Sequence, residues 1–99
     1  MVMTKFTLDA GNDLLGVFLH PPGQTKPIPM PGVNHTLTLD LSPGVYAVSL
    51  SGTGLVPATK ISLKIETDVN AKSRSRRVSA DGSIIGWVTF ELTAQGEVK

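Results

Sequence analysis

Residues 36–52, TLTLDLSPGVYAVSLSG, alternate apolar and polar side chains twice over, on either side of Ser42-Pro43-Gly44. In the first half Leu37, Leu39 and Leu41 fall on one face and Thr36, Thr38 and Asp40 on the other. In the second half Tyr46, Val48 and Leu50 oppose Ala47, Ser49 and Ser51. A period of two belongs to a strand with one face buried and one face wet. Pro43 presets φ for a turn and Gly44 accepts the positive φ that some turns require. Two strands joined by a turn are therefore expected here.

The same rhythm runs through the rest of the chain. Phe6 and Leu8 point inward from a first strand, and Asp9–Asp13 reads as a turn. Leu14–His20 reads as a second strand whose blurred alternation suits cover on both faces or a bulge near Gly16. Residues 21–34 hold five of the seven prolines, so they form a stiff extended loop and no central strand. Ile61, Leu63 and Ile65 alternate with Ser62, Lys64 and Glu66 as a half-buried strand. Asp68–Ser73 reads as a loop, Arg74–Ala80 as a short edge strand burying only Val78, and Asp81-Gly82 as a hairpin turn. Ile84–Thr93 closes the fold with Val88, Phe90 and Leu92 inward, and Ala94–Lys99 is expected to fray. The spacing predicts an all-β domain over residues 1–99: an antiparallel two-sheet β-sandwich of about seven strands, immunoglobulin-like or jelly-roll-like in class. The segment LSPGVYAVSLSG is similar to strand-turn-strand pieces of many sandwich modules, sugar-binding and accessory domains included.

Ninety-nine residues without a cysteine exclude disulfide staples, zinc–thiolate sites and thiol nucleophiles. A chain of this length buries roughly 60–70% of its unfolded surface, which is enough for a core without staples. Net charge is +1 and only 17% of residues are charged, with ten Thr and eight Ser taking their place. Hydroxyl-rich faces with little charge suit packing in assemblies or against sugars. They also follow simply from the fit of Thr to a pleated surface. No apolar run reaches the length that crosses a bilayer, and the first residues carry no apolar signal core. A cytoplasmic or virion-associated component without membrane insertion is expected.

Two features stand apart as candidate sites. Residues 72–77, KSRSRR, contain every arginine of the chain. In an extended strand Lys72, Arg74 and Arg76 share one face, with Arg77 on the other, at about 6.5–7 Å per alternate residue. That spacing suits a polyanion, and it equally suits a charged edge strand that resists aggregation. Trp87 is the second feature. With Val88, Phe90 and Leu92 inward, Trp87 falls on the outer face beside Thr89 and Glu91, unless a bulge at Gly86 or the proline loop hides it. An exposed indole, helped by Tyr46, would stack on a sugar ring or anchor a partner surface.

His20 and His35 flank the proline loop, but their spacing matches no metal-ligand motif, and no metal or other cofactor is expected. The sequence lacks nucleophile-elbow, zincin and phosphate-loop motifs, so no enzymatic activity is expected. The reading is a non-catalytic interaction or structural module that self-associates or binds a protein partner. Its alternatives are a carbohydrate-binding module using Trp87 and Tyr46, and an anion or nucleic-acid binder using Lys72, Arg74, Arg76 and Arg77.

Overall fold

The structure, a computed structural model, describes residues 1–9, 16–30 and 36–99. They form β1 (Val2–Asp9), β2 (Gly16–His20), β3 (Ile28–Pro29), β4 (Thr36–Leu41), β5 (Gly44–Gly52), β6 (Lys60–Glu66), β7 (Ala71–Arg77) and β8 (Ile84–Leu92). Two antiparallel four-stranded sheets pack face to face as a β-sandwich. One has the order β4-β1-β6-β7 and the other β3-β2-β5-β8. The eighth strand is β3, two residues of the proline segment lying on an edge, where Pro29 costs no ladder bond.

The inner faces are those the alternation assigns. Phe6 and Leu8 of β1, Leu41 of β4 and Ile61, Leu63 and Ile65 of β6 are buried against Val17, Leu19, Tyr46, Val48, Leu50, Val88, Phe90 and Leu92 of the other sheet. Aromatic contacts run along one sheet and across to the other. Phe90 stacks on Tyr46 at 5.3 Å between ring centroids and meets Phe6 edge-on at 5.8 Å. The Tyr46 hydroxyl donates to the Ser42 carbonyl at 2.6 Å, which pins the corner between β4 and β5.

Residues 36–52 form the two alternating strands and the turn expected of them, but the turn does not close a hairpin. β4 and β5 are consecutive and both alternate, yet they lie in different sheets and never pair. The Ser-Pro-Gly turn is an arch across the sandwich. Asp81-Gly82, expected as a hairpin turn, also joins strands of different sheets, β7 and β8. Gly82 has φ 78°, and a Cβ there would lie 2.7 Å from the Leu55 carbonyl oxygen, so the arch needs glycine for both conformation and space. A dipeptide that favours a tight reversal does not specify which strand its neighbour pairs with.

Three other expectations need correction. Residues 71–73 are not loop: β7 starts at Ala71 and pairs along β6 from Glu66↔Ala71 to Lys60↔Arg77. Its polar sequence hid it, because an edge strand has little apolar surface to show. Residues 94–99 do not fray. Val98 is fully buried and bridges Leu92, while Glu91 and Lys99 exchange both backbone hydrogen bonds at 2.9 Å. The side chain of Asn70 holds this tail as a strand would, donating to Val98 O at 2.9 Å and accepting from Val98 N at 2.7 Å. Finally, β2 pairs with β5 without interruption from Gly16↔Ser51 to His20↔Ala47, so no bulge falls within the described part of this strand. Residues 10–15 and 31–35, which include most of the Asp9–Asp13 turn, the end of the proline loop and His35, lie outside the described residues.

Candidate functional site

The two outer faces differ in chemistry. On β4-β1-β6-β7 the cross-strand rows carry Lys5, Lys60, Lys64 and Arg77 against Asp9, Asp40 and Glu66, interspersed with Thr and Ser and with one exposed apolar side chain, Met3. This is an ordinary solvated face. Its one ion pair among the described residues, Lys64–Glu66 at 3.9 Å, is exposed and contributes little.

On β3-β2-β5-β8 the outer face is apolar at its margins and small in its middle. β8 presents Ile85, Trp87, Thr89 and Glu91, and β2 presents Phe18 and His20. Between them β5 presents Val45, Ala47, Ser49 and Ser51. One row therefore runs Pro29, Phe18, Ser49, Trp87 across four strands. Ser49 and Ser51, both half-buried, lie between Phe18 and His20 on one side and Ile85 and Trp87 on the other. Ile85 is 90% exposed, Val45 62%, Trp87 51% and Phe18 37%. Glu91 is the only carboxylate on the strands of this face.

Trp87 is thus on the outside, as its phase relative to Val88 and Phe90 requires, and no bulge turns it inward. It is not bare. The His20 ring lies 4.8 Å away, tilted by 50°, and its Nε2 is 3.0 Å from the Ser49 hydroxyl. This contact reaches diagonally across β5, which only residues as small as Ala47 and Ser49 allow. Phe18 is set by Gly16: a Cβ at residue 16 would come within 2.9 Å of the Phe18 ring, so the missing side chain lets the ring lie down over the strand.

Tyr46, paired with Trp87 in the carbohydrate reading, lies on the opposite face of the sheet. It is buried in the core with its hydroxyl on Ser42. Burial pushes its pKa above the usual phenol value, against the opposing effect of that hydrogen bond. Its alternation partners Val48 and Leu50 already assigned it inward, so no ligand on the Trp87 face reaches it.

The basic run lies on β7, next to the free edge of β8. Lys72, Arg74 and Arg76 do share a face, and it is the inner one: they stand opposite Ile65, Leu63 and Ile61. Their side chains pass over the rim of the core toward the other sheet. Arg76 Nε donates to Trp87 O at 2.8 Å, and Arg74 Nε donates to Thr89 O at 3.0 Å. Alternate arginines meet alternate carbonyls, and the Glu91–Lys99 pair continues the same line. These groups cover the edge of β8 from Trp87 to Leu92. Arg77 points to the outer face opposite Lys60, and Lys72 and Arg77 are exposed.

Among the described residues no group of three metal-ligating side chains comes together, and His20 is engaged with Ser49 and Trp87. A depression of about 280 Å³ lies elsewhere, between Met1–Met3, Thr67–Val69 and Ala94–Gly96, with Asp68 as its one acidic side chain. No family model, curated protein or solved structure matches this chain. The sequence pointed to Trp87 but passed over Phe18, Val45 and Ile85, and it weighed His20 only as a metal ligand. Carrying the β8 alternation back two residues would have placed Ile85 beside the indole.

Proposed function

We propose that the protein is a non-catalytic interaction module that packs against a neighbouring copy of itself through the outer face of β3-β2-β5-β8. The observation that supports this reading is the contrast between the two outer faces. A solvated sheet face carries charge, as β4-β1-β6-β7 does. This one carries Trp87, Ile85, Val45 and Phe18 with a single carboxylate. Aromatic enrichment and charge depletion mark the centre of protein interfaces, where Trp most often anchors the energy.

The test is sedimentation with Trp87 emission recorded on the same samples. A rise in mass with concentration, accompanied by a blue shift of the indole, is the expected result, with the blue shift and the part of the mass increase that goes with it lost in Ile85→Lys. Unchanged mass together with solvent-like emission at every concentration refutes it.

A second reading rests on Trp87 alone. A half-exposed indole flanked by the Ser49 hydroxyl, Thr89 and His20 offers a stacking surface with hydrogen-bonding groups around it, as a sugar ring requires. Quenching or shift of Trp87 emission by saccharides, at a protein concentration where the mass stays monomeric, distinguishes it from self-association.

A further inference from the structure

The sandwich has four sheet edges, and three of them are guarded. β8 is covered from Trp87 to Leu92 by Arg74, Arg76 and residues 98–99. β7 carries Lys72, Arg74, Arg76 and Arg77 in seven residues. β3 is two residues long and contains Pro29. Short length, proline, inward-pointing cations and covering segments are the means by which proteins prevent a second strand from adding to a sheet. Among the described residues β4 has none of them. It is six residues of regular Thr-Leu alternation, it pairs with β1 in unbroken register, and no described residue pairs with its other side.

We propose that β4 pairs antiparallel with β4 of a second copy, across a two-fold axis at Thr38, so that the β4-β1-β6-β7 sheet continues through the dimer as eight strands. Three features of the strand select this occupant and this register. Residues 36–40 are nearly self-complementary about Thr38: Thr36 falls opposite Asp40 of the partner, Thr38 opposite Thr38, and Leu37 opposite Leu39. Thr–Thr and leucine pairs of this kind stabilise antiparallel neighbours.

Next, Leu37 and Leu39 are only half-buried within one copy, although they belong to the inner face. Pairing about Thr38 brings the partner's leucines against them. Finally, Asp40 is the only charged residue on the strand. Centring on Thr38 holds the two carboxylates about 14 Å apart along the strands, from a rise of about 3.4 Å per residue over four residues. This exceeds the screening length of about 8 Å. A register centred on Asp40 sets them face to face.

The axis is perpendicular to the sheet, so both aromatic faces of the dimer point the same way. A partner on one surface would then meet two Trp87 sites at once, and the two engagements would reinforce each other. The edge contact does not depend on the aromatic face being an interface.

The experiment uses the full chain. Sedimentation should give a dimer that survives Ile85→Lys and is lost in Thr38→Lys, where two ammonium groups would oppose each other across the axis. Thr38 is exposed, and circular dichroism checks that the variant is folded.

Cross-linking gives a second, independent readout, because the chain has no cysteine of its own. Directly opposed Cβ atoms lie about 4.5–5.5 Å apart, near the span of a disulfide. Thr38→Cys should therefore link to itself on oxidation. Thr36→Cys should link to Asp40→Cys in a mixture and not to itself. A monomer at every concentration overturns the proposal. So does a dimer insensitive to Thr38→Lys, or one lost with Ile85→Lys, which would assign the association to the aromatic face instead.

Discussion

Replacing Asn70 by alanine should release the last residues of the sequence from the sandwich. The Asn70 amide makes two hydrogen bonds to the backbone of Val98, at 2.9 and 2.7 Å, and both partners are partly buried. Each bond contributes about 0.5–1.5 kcal/mol net, and stranding a buried backbone group costs about 1–3 kcal/mol. Water reaches part of this site, so a total near 2 kcal/mol is expected for Asn70→Ala. A domain of this length has roughly 5–15 kcal/mol in all. At about 4–8 °C per kcal/mol, the melting temperature should fall by about 8–16 °C.

Val98→Ala removes two buried methyl groups, at about 0.8 kcal/mol each before any cavity term. Because both changes act on one clasp, the double variant should lose less than the sum of the singles. Calorimetry gives the stability, and hydrogen exchange at the amides of Glu91 and Lys99, which bond to each other's carbonyls, reports local release. A melting temperature for Asn70→Ala within about 2 °C of the unmodified chain refutes the reasoning, since it means the clasp is not formed in solution.

Tyr46→Phe keeps the ring stack on Phe90 and strands the Ser42 carbonyl, so a loss of about 1 kcal/mol at neutral pH is expected by chemical denaturation. The raised pKa of Tyr46 means that the folded state holds the neutral phenol more tightly than the unfolded chain does. Its contribution is present below the unfolded phenol value, near pH 10, and is lost as pH rises toward the folded value. Denaturation curves between pH 9 and 11 should therefore fall less steeply in Tyr46→Phe. Gly82→Ala forces a positive φ and a 2.7 Å contact with Leu55 O, and should cost well over 1 kcal/mol in the same assay. Arg74→Ala combined with Arg76→Ala should change stability little, because these side chains are largely solvated. It should raise thioflavin-positive aggregation by uncovering two carbonyls on β8.

The period-two pattern carried most of the fold because it records which side of each strand meets the core. Leu63, Val48 and Phe90 were assigned inward by it and are buried. It does not record which strand is the neighbour. Residues on either side of Pro43 alternate in the same way whether the turn closes a hairpin or arches between sheets, so the β4–β5 and β7–β8 connections were not legible. Residues 71–73 lacked apolar content because an edge strand guarded by cations has little to bury. Val98 was overlooked because one buried valine among polar residues has no period.

The site was legible at one residue. Trp87 stood out by its chemistry and its phase. Phe18, His20 and Ile85 became part of a site only when β2 and β8 were placed on the two sides of β5. The grouping of Lys72, Arg74 and Arg76 was readable from alternation, but their engagement with Thr89 and Trp87 carbonyls depends on the second sheet.

The arches have a kinetic consequence. Of the six described ladders, only β2–β3 and β6–β7 join strands adjacent in sequence. The other four need distant segments to meet before any ladder energy is returned, and loop-closure entropy is spent first. Sandwiches dominated by such pairings acquire their structure in milliseconds to seconds, where helical bundles take microseconds to milliseconds. During that interval β4 and β8 wait with Thr-Leu and Trp-Val-Thr-Phe segments unpaired. Nascent chains held at high local concentration are then most exposed to mispairing, and a slower rate of synthesis or a cooler host should raise the yield of native protein.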